Sequence, residues 1–299
     1  TMKIFFDGVN WNASNGPNQF AIKLANEFHK KNHNITSFNP DIQLSFIQIF
    51  NKLSKNIVLR LDGIYFNKHQ SWEKLNDSIQ NSFNVANSVI IQSEFNKKLI
   101  EKFFGKRENV FVIHNGTNFD IISKIEPLKD KRLDTFEKVW SCASEWRPHK
   151  RLEENIRYFL EHSNEKDCLV VAGKNANFSC NSNRIFYVNQ LSWENLISLF
   201  KRSNYYIHLS YLDHCPNTVI DARSCGCHII CSTSGGTEEI SGTNSTLIIE
   251  DDWNFEPCEL YNPPKLDFSR KRNGQFNIDI NIENVVNSYI YVFEKTLNV

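Results

Sequence analysis

The chain carries no surplus of either charge, with 34 Lys and Arg against 34 Asp and Glu in 299 residues. A nucleic-acid binder usually shows a basic excess, so no nucleic-acid partner is expected. Paired Cys-x2-Cys spacings are missing too. The eight cysteines stand singly or as Cys225-x-Cys227, which excludes the usual structural zinc motifs and the dense disulfide framework of a small secreted domain. Reduced thiols in a cytoplasmic setting are the expectation. No window of about 18 apolar residues occurs, and the start, "TMKIFFDGVNW", has neither the basic opening nor the long apolar core of a signal peptide. No transmembrane segment is therefore expected, while peripheral membrane contact stays open. Asn-x-Ser/Thr triplets, as at Asn12 and Asn244, are expected by chance in so asparagine-rich a chain.

Two nucleotide motifs are missing as well. A dinucleotide-binding domain wants Gly-x-Gly-x-x-Gly at its first strand-to-helix turn, but "DGVNWNASNGPNQF" supplies only Gly8 and Gly16. The "VAGK" at 171–174 lacks the upstream glycine and the following Ser or Thr of a phosphate-binding lysine loop. Dehydrogenase and phosphate-loop ATPase chemistry are set aside on these grounds.

What is present is an alternation of short apolar runs with helix-length amphipathic segments. "KIFF" precedes "FAIKLANEFHKK", "NIVLRLDG" precedes "SWEKLNDSIQNSFNVA", and "SVIIQS" precedes "EFNKKLIEKFFG", with "VFVIHNG" closing the series. Repeated strand-helix units of this kind build a parallel sheet. Residues 120–137 are charged and aperiodic and read as a linker, after which the alternation resumes from "KVWSCAS" to "STLIIE". Two α/β layers are expected, with one large domain as the competing arrangement. Residues 251–278 contain prolines without periodicity and read as loop. "IENVVNSYIYVFEKTL" carries apolar residues at helical spacing and predicts a terminal helix over 282–297.

The stretch from 208 to 240 holds two acids eight residues apart. Asp213 reads as the end of a strand and Asp221 as lying in the first turns of the following helix. The amides of Asn217, Thr218 and Val219 would then face out of a helix N-terminus, where unpaired N–H groups and the helix dipole attract phosphate. Asp221 would accept from ribose hydroxyls, and Asp213 would face the group beyond the phosphates. That arrangement is a cradle for a nucleotide sugar.

This region resembles the Glu-x7-Glu segment of the retaining glycosyltransferases of glycosyltransferase family 4, followed by that family's "SGGxxEI" loop, here Ser234 to Ile240. Both acids are Asp in this chain, each one methylene shorter. "VIHNGTNFD" is similar to the family's interdomain turn, and "ASEWRPHKRLE" resembles the start of its C-terminal domain, where an arginine and a lysine grip the donor diphosphate. Arg147 and Lys150 match those positions best, although the family's arginine commonly falls near Ser144. "NIVLRLDGIYF" resembles the strand whose loop often carries a histidine near the reacting sugar; Asp62 stands there. The turn with Asn15, Gly16 and Pro17 resembles the family's glycine loop.

The resemblance implies an α/β protein of GT-B fold, two Rossmann-like parallel-sheet domains facing a cleft. Residues 1–122 would bind the acceptor and 123–281 the nucleotide sugar, with 282–299 a terminal helix that could cross back to the first domain. It implies a metal-independent enzyme with no cofactor, moving a sugar from a nucleoside-diphosphate sugar to a glycan or other hydroxyl acceptor. Asp62, Arg147, Lys150 and Asp213 are the implied catalytic residues. Gly16, Lys150, Asn217, Thr218, Val219, Asp221, Gly235, Gly236 and Glu239 would bind the donor, and no metal ligands are implied. Plainer readings stand beside these. Lys150 could be an exposed helix-start lysine, Asp221 a first-turn acid favoured by the dipole, Asp213 a turn residue, Glu239 a loop-closing acid, and Asp62 a hinge acid. His114 reads as structural, and His214 as a pocket or a surface residue. A catalytically silent nucleotide-sugar or glycan binder of the same fold is the alternative function.

Overall fold

A computed structural model describes residues 1–13 and 16–298. The chain divides into two compact units, and each is built round its own parallel sheet.

The first unit comprises Thr1–Asn118, Phe255–Cys258 and Asp279–Val299. Its elements run β1 (Lys3–Asp7), α1 (Gly16–Lys30), β2 (Asn34–Ile35), β3 (Ile42–Phe46), β4 (Ile57–Leu61), α2 (Trp72–Val85), β5 (Ser88–Ile91), α3 (Glu94–Phe104) and β6 (Val110–Val112). The strands pair in parallel in the order β2-β1-β3-β4-β5-β6. Strands β3, β4 and β5 are buried at every position, which is why they read as continuous runs rather than as alternating ones. Helix α3 starts on Ser93, whose hydroxyl accepts the Asn96 N–H at 3.1 Å, and stops at Gly105 with φ 89°. A serine cap at one end and a left-handed glycine at the other are the boundaries such residues favour.

The second unit comprises Phe119–Asn254 and Glu259–Ile278. It contains α4 (Phe119–Ser123), β7 (Lys138–Ala143), α5 (Leu152–His162), β8 (Asp167–Ala172), β9 (Ile185–Tyr187), α6 (Trp193–Arg202), β10 (Tyr205–His208), α7 (Asn217–Ser224), β11 (His228–Ser232), α8 (Thr237–Ile240), β12 (Ser245–Ile248) and β13 (Lys271–Asn273). The sheet order is β13-β12-β11-β10-β7-β8-β9, parallel except for β13 against β12. That edge strand corrects the expectation of loop throughout 251–278. The segment expected to be a linker is also more than that, because it docks on α6. The Leu128 N–H donates to Ser198 O at 2.9 Å, and Lys201 Nζ donates to Ile125 O at 2.5 Å.

The last helix, α9 (Ile282–Leu297), belongs to the first unit and has the bounds its apolar spacing predicts. Ile282, Val285, Val286, Tyr289, Val292 and Phe293 are buried in the core cluster that also holds Phe20, Leu24 and Phe28 of α1. Phe28 and Phe293 stack with centroids 5.5 Å apart. Burying side chains of this size contributes about 1.5–3 kcal/mol each. Gly116 lets the chain approach the start of α9, since a Cβ there would stand 2.7 Å from Ile280 O.

Candidate functional site

The chemistry-bearing residues of the second unit gather beyond the C-terminal ends of β7 and β10. In open α/β sheets that is where ligands bind. Strand β10 stops at His208, so Asp213 lies in the loop after it rather than at the strand end, a correction to the sequence reading. The loop turns Asp213 back over β10. Its Oδ2 accepts from Lys150 Nζ at 3.0 Å and lies 2.9 Å from His208 Nε2. Its Oδ1 accepts the His214 N–H at 3.1 Å. Lys150 and Asp213 are 16% and 14% exposed, buried enough for their charges to interact strongly and open enough to meet a ligand. Burial alone would raise the Asp213 carboxyl. The Lys150 ammonium and the His208 hydrogen bond overcome it and hold the acid well below the usual carboxylate range.

His149, beside Lys150, is pushed down to about 3 by burial first and by the Lys150 charge second. It is therefore neutral at ordinary pH. Its ring stacks on Tyr261, 5.3 Å between centroids, and its carbonyl accepts the Tyr211 N–H at 2.7 Å.

Two short segments fix the Asp213 loop. Gly235 has φ 71°, and a Cβ there would stand 2.3 Å from Asp213 O. Gly236 donates its N–H to that same carbonyl at 2.8 Å. The resemblance implies free donors at the double glycine; the Gly236 donor is instead used within the unit to hold Asp213. A similar correction applies at the start of α7, where the Val219 N–H turns onto Pro216 O at 3.2 Å. Asn217 and Thr218 are the first residues of that helix. Asp221 is 2% exposed and accepts from the Trp193 indole N–H at 3.0 Å. Glu239 sits in α8 with its N–H on Gly236 O at 3.2 Å.

Arg147 is exposed at the entry to the short helical turn Pro148–Lys150. The next arginine, Arg151, which sequence reasoning passed over, is buried and bonded to Glu250 through both carboxylate oxygens, at 2.7 and 3.0 Å. Gly16 and Asp62 lie in the first unit. Gly16 opens α1, and Asn15 lies outside the described residues. Asp62 follows β4, and its Oδ1 accepts from Arg60 and from Gln92. Its Oδ2 is buried without a partner among the described residues. Arg60 itself is fully buried and also donates to the Tyr289 hydroxyl at 2.9 Å and to Asn115 Oδ1 at 2.6 Å. Among the described residues no group of three or more His, Cys, Asp or Glu side chains is placed to hold a metal ion, and no helix is long and apolar enough to cross a membrane.

Two parallel-dominated sheets, with acids and a lysine beyond the strand ends of the second, define a protein of the GT-B glycosyltransferase fold. Residues 128–255, nearly all of them in the second unit, match the family model described as Glycosyl transferases group 1. The sucrose-phosphate synthase of Thermosynechococcus elongatus superposes with TM-score 0.74 at 12% identity, covering 100% of both chains. HepE from Anabaena, solved in complex with UDP-glucose, gives TM-score 0.61 at 14% identity over 99% of this chain and 92% of that one. A glycosyltransferase from Rickettsia africae gives 0.63 at 14% identity over 99% of both. A search of curated protein sequences finds no match to the chain.

Proposed function

We propose that the chain is a retaining glycosyltransferase that moves a sugar from a nucleoside-diphosphate sugar to a hydroxyl group of a glycan or similar acceptor. The observation that carries this reading is the Lys150–Asp213 pair, 3.0 Å apart, in the stretch that matches the glycosyl transferases group 1 model. In such a transfer the anomeric C–O bond breaks and its electron pair leaves on the diphosphate, while the acceptor oxygen bonds to the anomeric carbon and gives up its proton. A fixed cation aimed at the departing oxygens stabilises the developing charge in a site shielded from water, and Lys150 fills that role without a metal. Asp213 would bind the transferred sugar, and Asp221, beside Trp193, the nucleoside. Asp62, held by Arg60 and Gln92, would belong to the acceptor side. Arg147, at the mouth of the turn, would add charge to the diphosphate contact.

One observation favours a silent binder instead. The Val219 and Gly236 amides, which would otherwise face the phosphates, are already used within the unit. Turnover separates the readings. The protein is incubated with UDP-, GDP- and ADP-sugars, UDP-glucose first because HepE was solved with it. Slow release of free nucleotide diphosphate and sugar supports the transferase. Tight binding with no release from any donor selects the binder.

A further inference from the structure

Arg151 adopts φ 55° and ψ 50°, the left-handed region, at the junction between the Pro148–Lys150 turn and α5. Any residue with a Cβ is strained there by roughly 1–2 kcal/mol. The conformation swings the guanidinium inward. There it donates to Leu209 O at 3.2 Å, to Pro264 O at 2.7 Å, and to both oxygens of Glu250 at 2.7 and 3.0 Å. Glu250 in turn accepts from Ser232 Oγ. Ser232 Oγ lies 2.8 Å from Ser234 Oγ, which accepts the Leu212 N–H at 3.2 Å.

This chain of bonds begins on the residue after Lys150 and ends on the residue before Asp213. We propose that Arg151 and Glu250 are positioning residues. Together they form a buried strut that fixes the Lys150 ammonium and the Asp213 carboxylate against each other from behind, through Ser232 and Ser234. Neither strut residue touches the candidate ligand site. They act by setting where Lys150 and Asp213 stand, and a misplacement of about 1 Å at a reacting centre costs up to roughly 10²-fold in rate. The direct Lys150–Asp213 bond could not fix both ends alone. Both side chains sit on short irregular segments, and the strut ties those segments to β10, β11 and the end of β12. The effect on rate rests on the transferase reading, whereas the geometric claim does not.

The test is a double-mutant cycle on the full chain, because coupled residues depart from additivity whereas independent ones do not. Arg151→Gly removes the guanidinium while suiting the left-handed backbone, so the turn keeps its path. Glu250→Gln keeps the shape and removes the charge. Each should lower kcat by about 10-fold or more when Lys150 is present. In a Lys150→Ala background each should change the remaining kcat less than about 3-fold, since the strut then has no ammonium to place. A purely structural role would lower both backgrounds alike, and that result would overturn the proposal. Arg151→Lys cannot reproduce the two-pronged bond to Glu250 and should not restore the rate. A wild type without turnover on any donor removes the transferase reading alone. The strut is then decided by crystal structures of Arg151→Gly and Glu250→Gln. Separation of Lys150 Nζ from Asp213 Oδ2 well beyond hydrogen-bond distance supports it, and an unchanged pair refutes it.

Discussion

Replacing Gly235 by alanine tests whether the double glycine exists to bring one backbone against another. At φ 71° any Cβ is strained, by about 1–2 kcal/mol. The added carbon would also stand 2.3 Å from Asp213 O and 2.8 Å from Asp213 N, so the Asp213 backbone must move. Its bond from the Gly236 N–H, 2.8 Å long, then weakens, at a further cost of about 1 kcal/mol. Gly226 supplies the control. Its φ is 87° and nothing lies within 4 Å of where an added Cβ would stand, so Gly226→Ala should show the backbone strain and nothing more. Urea unfolding followed by tryptophan fluorescence should place Gly235→Ala about 2–3 kcal/mol below wild type and Gly226→Ala about 1–2 kcal/mol below. Sugar-nucleotide turnover should fall roughly 10²-fold in the first, where Asp213 is displaced, and stay near wild type in the second. Equal losses of stability and of turnover in the two variants would refute the close-approach argument, because the shared φ would then explain everything.

Three further outcomes are expected. Lys150→Ala should lower turnover by roughly 10²-fold or more, as for removal of a transition-state contact, while Lys166→Ala, on an exposed pair with Glu137, should leave it unchanged, and wild-type turnover should survive EDTA. Asp221→Ala should weaken nucleoside diphosphate and sugar nucleotide alike in calorimetry, by about 1–3 kcal/mol, whereas Asp213→Ala should spare the diphosphate and reduce transfer; the reverse pattern would exchange the two roles. His149 is pushed from 6.5 down to about 3 by burial and then by Lys150, so its unfolded form takes up a proton first; stability should be full above pH 6.5 and decline as the pH falls toward 3, and His149→Phe should flatten that decline in urea midpoints measured across the range.

Strands β4, β5 and β8 were legible because they are buried at every position and therefore spell apolar runs. The exception is instructive. β3 has the sequence "IQLSF", and its Gln43 and Ser45 break the apolar signal. In the structure both are fully buried, at 3.3 and 2.8 Å from Asp7 Oδ2, a carboxylate at the end of β1 that also accepts the N–H groups of Phe50 and Asn51. A polar residue satisfied by a partner thirty-odd positions away cannot be told from a solvated one by local pattern. β13 was illegible for the opposite reason: Lys271, Arg272 and Asn273 are wholly polar, and an edge strand needs no apolar face. At the candidate site the residue types were readable, but their distribution of work was not. Arg147 and Arg151 look alike in sequence. The left-handed backbone at Arg151 sends that one inward, to a partner, Glu250, almost a hundred residues further on.

The same limit explains why the pairing of Lys150 with Asp213 strengthens a functional reading rather than weakening it. A lysine only 16% exposed with no anion nearby would pay several kcal/mol in lost hydration and would swing outward. Asp213 removes that penalty and holds the ammonium in one place, so little reorganisation is left for the moment of reaction, which is where fixed charges gain most of their catalytic effect. The pair is also displaceable in one direction. On the proposed reading a diphosphate would bring two or more negative charges against the single charge of Asp213 and would draw Lys150 toward itself by charge count. Asp213, 2.9 Å from His208 in the structure, would then have a lone pair to offer a sugar hydroxyl. A single carboxylate would thus serve first the lysine and then the sugar.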